Sequence, residues 1–212
     1  MNEISRSAWL NALKVKDKLD EELNGPLNMQ MDLAQTMLFE AAKPKTIYKV
    51  VPREELPAAG FSIERHLEKC HKAAVLAATL GVGVDNLVRR VQITDMAMAL
   101  VLDCGASILI QQICDDFEKA IKTELSGFLT SRFSPGYGDY GIQYQGQISE
   151  LLDAPRKIGL AVTRDSLMIP RKSITAVIGI SDVPVKGRLA GCDECMLKNK
   201  CELKKEGKFC GD

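Results

Sequence analysis

Two stretches of the chain carry residues whose types and spacing could do chemistry. The first is Arg132-Phe-Ser-Pro-Gly-Tyr-Gly-Asp-Tyr-Gly141, which packs three glycines, a proline, two tyrosines, an arginine and an aspartate into ten residues. Gly136, Gly138 and Gly141 permit backbone conformations with positive φ and let a ligand come close, while Pro135 fixes its own φ and removes a donor. Such a segment can continue neither a helix nor a central strand, so it reads as an ordered loop. Its side chains offer a fork of N–H donors from Arg132 and flat π-faces from Tyr137 and Tyr140, which suit a carboxylate and a planar ring in a ligand. On composition alone, a well-packed connecting loop is an equal reading.

The second stretch is Cys192-x2-Cys195-x5-Cys201-x8-Cys210, four of the seven cysteines within the last 21 residues. A Cys-x-x-Cys start lets two sulfurs grip one metal from a tight turn, and four thiolates complete a tetrahedral zinc site or hold an iron–sulfur cluster. The spacing matches neither a paired-knuckle zinc ribbon nor a bacterial ferredoxin run. Cys70, Cys104 and Cys114 stand singly in apolar sequence, where cysteine acts as a small hydrophobe. His66 and His71, five apart on one expected helix, fall on different faces and do not read as a metal pair. Asp115 and Asp116 belong to a solvated face or to the rim of a ligand site. No Ser/His/Asp or Cys/His constellation suggests hydrolysis.

These residues need a scaffold, and composition bounds it. The chain has 212 residues, 46% hydrophobic and 26% charged, with 28 basic and 28 acidic side chains. That supports one good core with a small appendage, and lacks the basic footprint of a nucleic-acid binder. The N-terminus has no long apolar run and no apolar stretch reaches a bilayer span, so the expectation is a cytosolic protein, for which clustered cysteines argue metal over disulfides. Helical spacing covers 4–23, stopped at Asn24-Gly25-Pro26, then Met29–Ala42, then Ser62 to about Leu80. Gly81-Val-Gly83 reads as the cap closing that last helix rather than as a phosphate loop. A short helix from Val84 to Arg90 precedes the longest one, 94–128. Strands are predicted over 46–51, 158–163 and 173–180, with a short helix at 145–152. Helices first and strands afterwards predict an α+β fold, one domain over 1–186 and a cysteine-rich metal-binding tail over 187–212.

Five ordered pieces then fall into a pattern: Arg132-Phe-Ser-Pro-Gly-Tyr137, Leu151-Leu152, Ile158-Gly-Leu-Ala-Val-Thr163, Ser166-Leu-Met-Ile-Pro170 and Lys172-Ser-Ile-Thr175. The series resembles the S-adenosylmethionine-binding activation (reactivation) domain of cobalamin-dependent methionine synthase, well over residues 93–181 and more loosely before them. The resemblance implies a central antiparallel sheet with flanking helices. It implies rescue of oxidised cobalamin: an electron from a flavodoxin- or ferredoxin-like donor, then methylation of the reduced cobalt by S-adenosylmethionine. Arg132 would pair with the methionyl carboxylate, with the Ser134 backbone and Gly136 close to the ligand and Tyr137 near its sulfonium. Glu118, or in a shifted register Lys119, would face the ligand's amine. Two positions depart from the family: Gly138-Asp139-Tyr140 stands where a histidine is expected, and Ile178-Gly-Ile-Ser-Asp182 lacks a later tyrosine. With no cobalamin-binding module of its own, the protein would act on a methionine synthase or other corrinoid protein. The cysteine tail (Cys192, Cys195, Cys201, Cys210) would relay the electron through an iron–sulfur cluster, act as a zinc staple, or hold free thiols. A non-catalytic S-adenosylmethionine sensor or assembly module is the alternative.

Overall fold

The computed structural model describes residues 3–15 and 21–185, with 21–24 described by their backbone alone. The elements follow in the order α1 (Arg6–Ala12), α2 (Glu21–Ala41), β1 (Lys45–Pro52), a 3-10 turn (Arg53–Glu55), α3 (Phe61–His66), β2 (Lys72–Thr79), α4 (Val82–Thr94) and α5 (Met96–Glu124). After these come β3 (Phe128–Leu129), α6 (Tyr144–Leu152), α7 (Ala154–Ile158), β4 (Ala161–Val162), β5 (Met168–Ile169) and β6 (Ser173–Ser181). Four strands form an antiparallel sheet in the order β1-β2-β6-β3, and β4 pairs with β5 in a separate ladder. The expected α+β architecture with a central antiparallel sheet is therefore the fold observed.

The predicted helix from Ser62 to Leu80 is corrected to a six-residue helix followed by the central strand. β2 reads Lys-Ala-Ala-Val-Leu-Ala-Ala-Thr and is buried from Ala73 onward, paired along its length with β1 on one side and β6 on the other. A run buried on both faces has no polar stripe, so its period is silent, and alanine's helix preference is smaller than two ladders of backbone hydrogen bonds. His66 consequently ends α3 while His71 lies just before β2, so the two are not on one helix. Gly81, with φ +83°, starts α4 instead of ending a helix. The stop predicted at Asn24-Gly25-Pro26 is also overturned: α1 ends at Ala12, and α2 runs through Pro26 to Ala41. Proline there removes one donor near the start of a helix whose later residues Met31, Ala34 and Leu38 are fully buried. Finally, the strand predicted over 158–163 shrinks to Ala161–Val162, because Ile158 ends α7 and Gly159 turns the chain with φ +73°.

Side chains alternate across the sheet and meet a different layer on each face. Ala74, Leu76, Ala176, Ile178 and Ile180 pack under the second half of α5, against Ile121, Phe117 and Leu125. Ala73, Val75, Ala77 and Val177 face α3, α6 and α7, against Ile63, Leu67, Ile148, Leu152, Phe133 and Tyr140. A helical layer of α1, α2, α4 and the first half of α5 forms a third cluster around Trp9, Leu38 and Leu102. Asp95 starts α5, its carboxylate accepting from the Met98 amide at 2.9 Å. α5 is apolar and long enough to cross a bilayer by length and composition, yet half of its most apolar window is buried inside the molecule.

Candidate functional site

The geometry of the site begins with a miscount between two strands. Thr130 N–H donates to the Gly179 carbonyl at 3.0 Å, and Phe133 and Val177 exchange two backbone bonds of 2.8 Å. Two residues separate Thr130 from Phe133, where one separates Gly179 from Val177. The extra residue makes Ser131–Arg132 a β-bulge, a device that bends the strand and re-aims a side chain. Thr130 stabilises it, since its hydroxyl accepts from the Gly179 amide at 2.8 Å. Beyond the bulge Phe133 drops into the cluster with Val177 and Tyr140, while Arg132 crosses the sheet edge toward α5.

On α5, Gln111, Asp115 and Glu118 lie at i, i+4 and i+7, one stripe of the helix. Arg132 Nη1 donates to Glu118 Oε2 at 3.0 Å and Nη2 to Gln111 Oε1 at 3.0 Å, while Nη2 forms an ion pair with Asp115 Oδ1 at 2.6 Å. Glu118 is 13% exposed and its other oxygen accepts from Lys122 Nζ at 2.6 Å. Asp115 is 53% exposed. Lys119, the alternative register, turns outward and pairs with Asp116 at 3.0 Å on the solvated face. Burial favours loss of the Arg132 proton, but the hydrogen bond and charge of Asp115, with Cys114 and Glu118, outweigh it and raise the pKa. Beneath the guanidinium, burial pushes the Cys114 thiol up to about 12, so it is an inert core group.

The glycine-rich loop closes on itself after the bulge. Gly136 N–H donates to the Tyr140 carbonyl at 2.7 Å, Tyr137 N–H to Ser134 O at 3.3 Å and Tyr140 N–H to Tyr137 O at 3.1 Å. Gly136 and Gly138 supply the positive φ values this path requires, +94° and +56°. Asp139 fastens the loop to α3, its carboxylate accepting from Phe61 N–H at 2.7 Å and Ser62 N–H at 2.8 Å. Bonds from the Ser62 backbone and side chain, then the Phe61 backbone, hold its carboxyl below the usual range. Asp139, standing where the family resemblance expects a histidine, is thus occupied in capping a helix 77 residues earlier. The two tyrosines separate, which corrects the expectation of two ligand-facing rings. Tyr140 is fully buried, donates to Pro57 O at 3.0 Å and has its pKa raised by burial, whereas Tyr137 is 60% exposed. Ser134 is half-buried at the start of the turn and Gly136 is exposed.

Of the residues singled out in the sequence, Arg132 and Glu118 meet at α5, while Ser134, Gly136 and Tyr137 lie on the loop that follows Arg132 and is fastened to α3. Gln111 and the Asp115 contact were not anticipated: their stripe is legible as helical spacing, but its guanidinium partner comes from tertiary structure. In the stretch Ile178-Gly-Ile-Ser-Asp182, Ile178 and Ile180 lie buried in the apolar cluster under α5. Cys192, Cys195, Cys201 and Cys210 lie outside the described residues. Among the described residues no grouping of three or more His, Cys, Asp or Glu side chains is arranged to hold a metal.

A planar guanidinium can grip a carboxylate with two hydrogen bonds; here that of Arg132 is met by Asp115, Glu118 and Gln111 of α5. Neither a protein-family model nor a curated protein sequence matches the chain. Among solved structures, the chain is similar to the MetH reactivation domain crystallised with AdoHcy, with a TM-score of 0.60 at 14% identity. The match covers 95% of this chain and 81% of that one. At that identity the likeness establishes a shared fold.

Proposed function

We propose that this protein binds S-adenosylmethionine at the Arg132 loop and serves the reductive reactivation of a corrinoid methyltransferase. The observation that carries the reading is the bulge-directed Arg132, set against Asp115 and Glu118 beside a loop that exposes Tyr137. The shared fold adds support, since the related crystal structure contains AdoHcy. In this reading Arg132 holds the methionyl carboxylate and Glu118 receives the ammonium. The Ser134 backbone and Gly136 line the ligand, and the Tyr137 ring faces the sulfonium. When bound, the cofactor supplies an electrophilic methyl group. The nucleophile is the partner's cobalt after one-electron reduction from cob(II) to cob(I), so the protein's work is positioning and no protein nucleophile is needed. The electron would come from a flavodoxin- or ferredoxin-like donor. Cys192, Cys195, Cys201 and Cys210 would carry an iron–sulfur cluster that relays it, or a zinc ion that staples the tail. A cytosolic location belongs to the same proposal.

Calorimetric titration with S-adenosylmethionine tests the site. Wild-type protein is expected to bind, and Arg132→Ala to bind more weakly by about 1.5–3 kcal/mol, the range for a lost charge-assisted hydrogen bond. An unchanged affinity in the variant would take Arg132 out of the site, and no binding at millimolar ligand would remove the reading. A second reading, a non-catalytic sensor or assembly module for a corrinoid protein, is favoured by a specific observation: Asp139, in the stretch where the resemblance expects a histidine, is engaged in capping α3. Single-turnover methylation of a reduced corrinoid protein separates the two, since only a reactivation factor supports it.

A further inference from the structure

Arg132 already has partners where a ligand's carboxylate would have to bind. A guanidinium presents two edges that can grip a carboxylate with two hydrogen bonds, Nη1/Nη2 and Nε/Nη2, and both include Nη2. Here Nη2 is held by two groups, the Asp115 carboxylate, whose Oδ1 lies 2.6 Å away in an ion pair, and Gln111 Oε1, to which it donates at 3.0 Å. A two-pronged carboxylate must therefore displace one of them. Glu118 is not the group in the way: it sits on Nη1, is nearly buried and is braced by Lys122 at 2.6 Å. Asp115 has a half-exposed side chain that water can solvate as it leaves, and it carries the same charge as the incoming group.

We propose that Asp115 is a latch, an internal competitor that holds Nη2 of Arg132 in the empty site and is displaced by the carboxylate of an amino-acid ligand. The latch rests on the ligand reading above. Its sign sets it apart from general electrostatics. S-adenosylmethionine carries a sulfonium, an ammonium and one carboxylate, a net positive charge, so removing a nearby acid should weaken binding if only long-range attraction counted. Removing a competitor strengthens it.

The test is calorimetric titration of S-adenosylmethionine and S-adenosylhomocysteine into the full chain, the Asp115→Asn and Asp115→Ser variants, and Asp116→Asn as the control. Both Asp115 variants are expected to bind both ligands roughly two- to fivefold more tightly than wild type, the factor corresponding to release of one exposed ion pair. Asp116→Asn, whose acid pairs with Lys119 instead, is expected to leave affinity unchanged. In the Arg132→Ala background, Asp115→Asn is expected to give no gain. Equal or weaker binding by both Asp115 variants would overturn the latch while leaving the ligand site standing. A matching gain in Asp116→Asn would reduce it to a general charge effect and overturn it too. If wild type and all variants fail to bind, the ligand reading falls and the latch with it.

Discussion

Asp139 supplies a cap that α3 lacks from its own sequence. The residue preceding α3 is Gly60, which has no side chain to meet the first amides of the helix, and the Asp139 carboxylate takes the Phe61 and Ser62 amides in its place. A carboxylate at a helix N-terminus also opposes the positive end of the dipole. Because its folded-state pKa is lowered, the stabilisation is fully present above the unfolded carboxyl value and is lost as pH falls through the folded one. Asp139→Ala should therefore melt at a lower temperature than wild type at neutral pH, with the gap closing as pH drops below about 4. Thermal melts of the two proteins across that range check it, and a gap that persists into strong acid would show that the cap is not ionic. The loop itself was legible, since Gly-Tyr-Gly-Asp-Tyr spells a turn. Its attachment to a helix 77 residues earlier was not, because no local pattern encodes a contact made across the fold.

At the level of elements, α5 carries the structure, and Gly105 shows how closely it is packed. A β-carbon at Gly105 would penetrate the Trp9 ring, whose indole N–H donates to the Val101 carbonyl on the same helix at 2.9 Å. In an exposed helix, glycine to alanine gains about 1 kcal/mol. Here Gly105→Ala should instead destabilise by about 1–3 kcal/mol through overpacking. Chemical denaturation measures the difference, and a stabilised variant would mean that α1 is free to move aside. Gly83 follows the same logic at the α2–α4 contact, where a β-carbon would run into the Ala41 carbonyl. The long helix, β1 and β6 were all readable from periodicity and β-branched content. β2 was not: its alanine-rich run, buried from Ala73 onward, is compatible with either buried helix or buried strand, and only pairing with β1 and β6 decides between them. Helix ends were misread for a related reason. Gly81 signals a chain reversal equally well at the end of a helix or at the end of a strand.

For the whole molecule, the sheet separates two unlike halves, an α5 side to which Arg132 reaches and an opposite side closed by α3, α6, α7 and the glycine-rich loop. The order of elements anticipated an antiparallel α+β arrangement, whereas the meeting of Arg132 with α5 depends on the bulge, which no spacing in the sequence announces. The cysteine tail adds a prediction for the complete chain: protein purified without oxygen should contain iron and sulfide if the four thiolates serve electron relay, and zinc if they only staple the tail. Metal analysis of wild type and of Cys192→Ser with Cys195→Ser checks it, and full metal retention in that double variant would remove these cysteines as ligands. Strand parity has its own consequence. Between Leu129 and Phe133 the pairing with β6 decides which face each side chain takes. Regular pairing of the same residues, without the extra one opposite Ile178, would leave the cation and the phenyl ring on each other's sides of the sheet, a basic group in the greasy layer and an aromatic one among acids. Homologous chains that keep the site should therefore hold either the two-against-one pairing at this length or, one residue shorter, a regular ladder.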